Sequence, residues 1–485
     1  MQESQHHGVK NMTMLTDFYE FTMANGYFLD GRGENIAYFD MFFRNVPDGG
    51  GYAIMAGVEQ LVDYMKNLRF TDEDIAYLRS KNCFDERFLE YLKNFEFKCD
   101  VWAIREGTPI FPGEPLVVVR GPMVQAQFLE TMTLLTINHQ SLIATKANRM
   151  VRAAEGRTIL EFGSRRAQGY DGAVYGARAA YIGGCAGTAC VMTDRDCGVP
   201  AAGTMAHSWI QSYPTEYEAF AAYAKYYPDN CTFLIDTYNV LKSGLPNTLK
   251  VSKEVLEPMG YRPKGVRIDS GDIAYLSKKI RRILDEEGYP DVKIVASNSL
   301  DEFIIQDLLV QGAKIDTFGI GERLITSKSE PVFGGVYKLA AIEDENGAII
   351  PKIKISENVE KITTPHFKQI NRLYDRDSGK AIADVITLFD EKIDDTKPLL
   401  IFNPVYTWKK KRVTNFTVRP LLEPIFRGGK CVYEQRDIHE IRSYCLKQVD
   451  GLWDEVTRFE NPHTYYVDLS QKLWDIKHEL LSREY

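Results

Sequence analysis

The sequence predicts an α/β protein organised around a βα barrel, and three observations carry that expectation. Five short apolar runs, at 158–162, 232–235, 265–268, 293–296 and 315–318, have the continuous hydrophobicity of strands buried on both faces, and stretches of helical period separate most of them. Each run ends in glycine, a hydroxyl or a charge, and a barrel of this kind carries its chemistry on the loops after those strand ends. Beyond Gly334-Gly335 the pattern turns to alternating apolar and polar residues joined by glycine turns, so a different unit begins there.

Taken in order, the chain opens on a helix signal at 15–23, where Thr16 or Asp17 can cap a helix whose apolar side is Phe18, Phe21 and Met23, with Tyr19 off that stripe. A strand-like run at 37–44 leads into the Pro-Asp-Gly-Gly-Gly turn at 47–51, and helical patterns follow from 57 to 94. Residues 102–119 read as a hairpin across Phe111-Pro112-Gly113-Glu114-Pro115, whose prolines preset φ. A helical period then runs from Pro122 to Glu155 and stops at Gly156, which predicts one long or kinked connecting helix and the first domain boundary near it. The division is therefore an α+β N-terminal domain over 1–128, the α/β barrel over 129–345 and a C-terminal domain over 346–485. Around the second boundary, 336–342 and 348–355 flank Asn346-Gly347 as a hairpin, and Asp377-Ser378-Gly379 marks a further turn. The basic run 409–412 is expected to be a solvated loop, and the aromatic-rich stretch 433–485 to close on a helix.

Composition narrows the function classes. A chain of 485 residues with net charge −8 has the size for two or three packed units and lacks the positive footprint that nucleic acid or an anionic membrane surface requires. An anionic ligand must be drawn by local groups instead. No apolar run approaches the roughly 20 residues of a membrane span, and the polar residues 1–10 lack a signal-peptide core, so a cytoplasmic protein is expected. Eight scattered cysteines without C-x-x-C spacing read as reduced, mostly buried thiols rather than a zinc site.

The barrel rim holds the chemistry. His207, in Gly203-Thr204-Met205-Ala206-His207-Ser208-Trp209, would by default be a packed core histidine; the polar strand ends around it argue for a site. Ser270 and Ser299 read as ordinary helix caps. The turns Ser297-Asn298-Ser299 and Gly319-Ile320-Gly321 leave backbone N–H groups free for phosphate. Asp236, Asp269 and Asp272 offer hard oxygen ligands for Mg²⁺, and Arg165, Arg166 and Arg267 offer planar donors for phosphate or carboxylate. No G-x-x-x-x-G-K-[ST] loop is present, so ATP would bind through another architecture.

These residues resemble a known family. Glu161-Phe162-Gly163-Ser164-Arg165-Arg166, Gly203 to Ser208, Val266-Arg267-Ile268-Asp269-Ser270-Gly271-Asp272 and Phe318-Gly319-Ile320-Gly321 are similar to segments of the nicotinate phosphoribosyltransferases, and the likeness runs from Leu15-Thr16-Asp17-Phe18-Tyr19 to Gly334-Gly335-Val336-Tyr337-Lys338-Leu339. The resemblance implies the irregular α/β barrel of type II phosphoribosyltransferases with a flanking domain, assembled as a homodimer. It implies formation of nicotinate mononucleotide and pyrophosphate from nicotinate and phosphoribosyl pyrophosphate in NAD salvage, stimulated by ATP. By the same resemblance His207 is the histidine that ATP phosphorylates. His207, Arg267 and Asp269 are the candidate catalytic groups, Asp236 and Asp269 the candidate metal carboxylates, and Asp236 also a candidate substrate contact. Tyr19 would reach a neighbouring subunit's pyridine site, where Phe162 takes the other ring face; Thr204 and Arg267 would contact nicotinate. Phosphates would fall to Arg165, Ser297, Asn298, Gly319 and Gly321. Glu322 departs from the pattern, standing where relatives often carry a small hydroxyl residue, and an inward carboxylate there would repel phosphate.

Two other functions compete. A nicotinamide phosphoribosyltransferase would be expected to hold its amide with an aspartate in a Gly-Thr-Asp segment, where this chain has Gly187-Thr188-Ala189. A catalytically silent nucleotide sensor is the other, and it has no need of His207, Arg267 and Asp269 together.

Overall fold

The computed structural model describes residues 11–483, so the polar stretch 1–10 and the last two residues lie outside the description. The five buried runs become the strands Thr158–Glu161, Thr232–Leu234, Gly265–Ile268, Lys293–Ser297 and Thr317–Ile320. All pair in parallel, and a sixth strand that the sequence pattern was too short to show, Gly187–Thr188, pairs with the first. Across the sheet the order is Gly187–Thr188, Thr158–Glu161, Thr317–Ile320, Lys293–Ser297, Gly265–Ile268 and Thr232–Leu234. The first strand in the chain thus lies beside the last, and consecutive strands are neighbours except between Gly187–Thr188 and Thr232–Leu234. That is the neighbour order of a barrel with one seam open. Ala201 bridges to Thr188 in the chain between those two strands, and the same connecting chain carries His207. Ile159, Phe233, Val266, Ile268, Ile294, Ala296 and Phe318 are buried, as expected of strands covered on both faces.

The chain divides into two compact units, the barrel over Ile143–Pro331 and a second unit made of the chain up to Leu142 with Val332 onward. The second unit is built on a seven-stranded sheet in which Ile36–Phe43 pairs antiparallel with both Gly335–Glu343 and Val117–Pro122. Asp100–Ile104 follows, and then Leu422–Arg427 from the last quarter of the chain. Segments that sequence pattern separates as N- and C-terminal domains therefore share one sheet and one core, in which Phe39 stacks on Tyr337 and Phe43 on Phe333. Pairing between strands some 300 residues apart is invisible to local periodicity.

Several expectations are met and several corrected. The 102–119 hairpin forms between Asp100–Ile104 and Val117–Pro122, and the Asn346-Gly347 turn joins Gly335–Glu343 to Ile349–Pro351, with φ of +80° at Gly347. The long helical pattern breaks at Phe128-Leu129 into Met123–Gln127 and Glu130–Ala153. In the first helix, Phe18–Leu29, the expected apolar stripe buries only Phe21; Phe18 and Met23 are exposed while Glu20 is buried. Asp17 takes the cap position without a side-chain cap bond. The basic run is a strand rather than a loop, Lys410–Val413 pairing with Leu399–Phe402, although its cationic side chains remain exposed. Gln471–Leu481 is the closing helix. Four of the eight cysteines, Cys99, Cys185, Cys231 and Cys445, are buried. No helix among the described residues is long and apolar enough to cross a membrane.

Candidate active site

Arg267 and Asp269 are two residues apart at the end of Gly265–Ile268, so the pleat sends both to the face opposite the buried Val266 and Ile268. The Arg267 guanidinium donates from Nε to Ser297 Oγ at 2.9 Å, from Nη1 to Thr204 Oγ1 at 3.1 Å and from Nη2 to Asp269 Oδ1 at 3.1 Å. Three of the five donors of an arginine are thereby engaged, and two remain for a ligand. Ser297 Oγ donates to the same Asp269 oxygen, which locks the ends of two adjacent strands together.

Asp236 lies just beyond the neighbouring strand Thr232–Leu234, with its side chain 1% exposed. Its Oδ2 accepts from the Asp269 backbone N–H at 2.9 Å and from Ser270 Oγ at 2.6 Å, whereas its Oδ1 is buried without a hydrogen-bond partner. His207 begins the short helix His207–Gln211, and while Met205 and Ile210 on either side are buried, its own side chain is 41% exposed. It is no packed core residue. Nδ1 lies 3.0 Å from Thr237 Oγ1, and Nε2 faces Asp236 Oδ1 at 4.0 Å and Asp269 Oδ2 at 3.9 Å. An imidazole, two carboxylates and a guanidinium thus meet at one rim.

The other side of the rim is pinned by Glu161, which the sequence shows only as the first residue of the Glu161-Phe162-Gly163-Ser164-Arg165-Arg166 segment. Its carboxylate is fully buried, accepts the Gly163 N–H through Oε1 and the Thr188 hydroxyl through Oε2 at 2.6 Å, and burial pushes its pKa up. The Thr188 oxygen in turn accepts the Cys190 N–H at 2.9 Å, and the Ala189 N–H donates to the Glu161 carbonyl at 2.8 Å. Glu161 therefore ties Phe162-Gly163 to Thr188-Ala189; the available signal was a charge closing an otherwise apolar strand. The Phe162 ring sits with its centroid 5.7 Å from the Arg267 guanidinium carbon. A Cβ on Gly319 would come within 2.6 Å of that ring, which explains the glycine there.

The remaining expected residues are placed as follows. Arg165 and Arg166 are exposed on the turn Ser164–Arg166, the one that follows Phe162-Gly163. Asn298 and Ser299 hold φ of +90° and +53°, a left-handed pair that costs energy in non-glycine residues and is kept at the end of Lys293–Ser297. Neither Ser270 nor Ser299 is a helix cap: Asp272 and Asp301 accept the capping N–H groups, which commits Asp272 to the helix and frees Ser270 for Asp236. Gly321 precedes a helix of only four residues, Glu322–Ile325. The Glu322 carboxylate is bound by Lys328 Nζ at 2.7 Å, which lowers its pKa and offsets the repulsion expected of it. Tyr19 belongs to the other unit, exposed on Phe18–Leu29. No group of three or more His, Cys, Asp or Glu among the described residues is arranged to hold a metal ion.

Comparison with known proteins gives concordant matches along the chain. The family model of the nicotinate phosphoribosyltransferase N-terminal domain matches residues 14–138, that of the nicotinate phosphoribosyltransferase family residues 158–377, and that of its C-terminal domain residues 367–477. The nicotinate phosphoribosyltransferase of Bacillus subtilis is 43% identical over 477 residues, covering 98% of this chain and 96% of that one. The Homo sapiens enzyme of the same name is 32% identical over 517 residues, 95% of each chain. A crystal structure of human nicotinic acid phosphoribosyltransferase matches with a TM-score of 0.85 and 31% identity, covering 96% of this chain and 99% of that one. With identity of this extent and the same fold along nearly its whole length, the chain belongs to the nicotinate phosphoribosyltransferase family.

Proposed function

We propose that this protein transfers the phosphoribosyl group of phosphoribosyl pyrophosphate to nicotinate, giving nicotinate mononucleotide and pyrophosphate in a cytoplasmic step of NAD salvage. The observation that carries the proposal is the Arg267 node, a half-satisfied guanidinium beside an aromatic ring at the rim of the parallel strands. Its two spare donors suit the carboxylate of nicotinate, and Phe162 offers a face for the pyridine ring. Ala189, exposed beyond Gly187–Thr188, puts no negative charge where an aspartate would repel that carboxylate, which favours nicotinate over nicotinamide.

The chemistry asks little of a base. The pyridine nitrogen attacks the ribose anomeric carbon with its own lone pair as the bond to pyrophosphate breaks and the electron pair leaves with that oxygen; no proton moves. The protein's task is to orient the ring, hold the phosphates and bear the charge. Arg165, Ser297, Asn298, Gly319 and Gly321 are the groups assigned to the phosphates. Asp236 Oδ1, buried and without a partner, and Asp269 fit a Mg²⁺ ion, which takes one or two carboxylates and completes its shell with water and phosphate. When bound, such an ion neutralises charge on the departing pyrophosphate. ATP is assigned to His207, whose Nε2 is the ring nitrogen on the side of the two carboxylates; a phosphoryl group there would add negative charge beside both, enough to reorder the site.

The protein is further assigned to homodimers. Leu15, Phe18, Tyr19 and Met23 leave an apolar strip exposed at the first helix, which a second copy would cover while Tyr19 reaches that copy's pyridine site. Pyrophosphate release in the presence of nicotinate and phosphoribosyl pyrophosphate tests the activity. Release is expected without ATP and faster with it; binding of both substrates with no release would establish a silent sensor instead.

A further inference from the structure

The unit formed by the two chain ends holds a cavity of about 230 Å³ that the proposed reaction does not use. Arg44, Asp40, Thr364, Lys368 and Lys477 line it, and the charges are not balanced among themselves. Lys368 is satisfied: its ammonium lies 2.5 Å from Asp40 Oδ2 and also donates to the carbonyls of Thr364, Pro365 and His366. Burial pushes the Asp40 carboxyl up and the Lys368 amine down, each charge opposing the shift in the other. Three groups are left over. Asp40 Oδ1 is buried with no hydrogen-bond partner, and so is Arg44 Nε. Lys477, from the closing helix, finds only the neutral Thr364 hydroxyl at 3.2 Å. Burial and the neighbouring Lys368 charge bring its amine down to about 8. Glu360, the remaining acidic residue of the lining, is exposed to solvent and forms no ion pair with these cations.

Two cations without a counter-charge and one buried acceptor without a hydrogen bond describe a complementary ligand, because buried polar groups in a folded protein are ordinarily paired. We propose that this cavity binds a hydrogen phosphate ion, whose oxygens accept from Lys477, Arg44 and the Thr364 hydroxyl while its own hydroxyl donates to Asp40 Oδ1. Sulfate has the same shape and charge but no proton to donate, so it would leave that carboxylate oxygen facing a negative ion. A carboxylate ligand has the same deficiency.

Carbamylation of Lys477 by cyanate reads the site directly. The unprotonated amine adds to the carbon of isocyanic acid and the proton passes to the cyanate nitrogen, so an anion that holds Lys477 protonated and covers it slows the reaction. Rates at Lys477 and at exposed reference lysines are followed by peptide mass spectrometry near pH 8 on the full chain, at constant ionic strength. Phosphate at about 10 mM is expected to slow Lys477 on the order of fivefold relative to chloride, with sulfate doing markedly less and the reference lysines unchanged. The protection is expected to vanish in Arg44→Met, where Lys477 remains. Equal rates in phosphate and chloride would overturn the proposal, as would a Lys477 that cyanate never reaches, since phosphate is the larger ion. Equal protection by sulfate would refute the role given to Asp40. None of these readouts depends on turnover, so the phosphoribosyl transfer and this site stand or fall separately.

Discussion

At the scale of single residues, His207 and Arg267 carry the proposed chemistry. His207 is half exposed, bonded at Nδ1 to Thr237 and open at Nε2, the arrangement that the proposed phosphoryl transfer requires. His207→Asn is expected to retain ATP-independent turnover and to lose acid-labile phosphate on the protein after incubation with labelled ATP; undiminished label would remove His207 from that role. Arg267 is expected to act on one substrate. Arg267→Ala should weaken nicotinate by about 1.5 to 3 kcal/mol for each charge-assisted hydrogen bond lost from its two spare donors, and weaken phosphoribosyl pyrophosphate far less. An equal loss for both substrates would mean that Arg267 serves mainly to hold Thr204, Ser297 and Asp269 in place. His207, Asp236, Arg267 and Asp269 could be singled out as candidates from the sequence because they cluster in polar segments at or after short apolar runs, and the structure brings these four to one rim. The bonds among them were not legible in the sequence: nothing in Ser270 distinguishes a cap from a ligand of Asp236, and only the structure shows Asp272 doing the capping.

At the scale of elements, the first helix is the informative one. Glu20 is buried on Phe18–Leu29 beside Tyr19, with one oxygen unpartnered and the other accepting from Thr131, and burial pushes its pKa up to about 7. An acid with a raised folded-state pKa stabilises the fold while it is protonated, so its contribution is fully present below the ordinary value of 4.5 and is lost as pH rises through about 7. The loss amounts to roughly 2 to 3 kcal/mol. Urea denaturation at pH 5 and pH 8 should show Glu20→Gln less sensitive than the natural protein across that window. Identical pH dependence in both would show Glu20 ionised throughout. Sequence pattern misplaced the buried face of this helix because an apolar stripe is normally the core face, and here part of that stripe is left on the surface.

At the scale of the molecule, barrel strands were readable because each is a short local run, and their neighbour order follows from chain order. The seven-stranded sheet was not, because it joins Ile36–Phe43 to Gly335–Glu343 across the whole barrel insertion. Assembly adds a prediction of its own. If Tyr19 serves the other subunit's site, co-expressing Tyr19→Ala with Arg267→Ala should form mixed dimers with one intact site, regaining roughly a quarter of natural activity when the chains mix at random. Recovery no greater than the sum of the two separate variants would place Tyr19 in its own subunit's site or in none. The claim beneath all of these is that the barrel rim is built for a pyridine carboxylate. Its most direct test is mass-spectrometric analysis of the products formed from equimolar nicotinate and nicotinamide with phosphoribosyl pyrophosphate. Nicotinate mononucleotide is expected in great excess, matched by pyrophosphate and increased by ATP; equal yields of the two mononucleotides, or none of either, would contradict a rim built for a pyridine carboxylate.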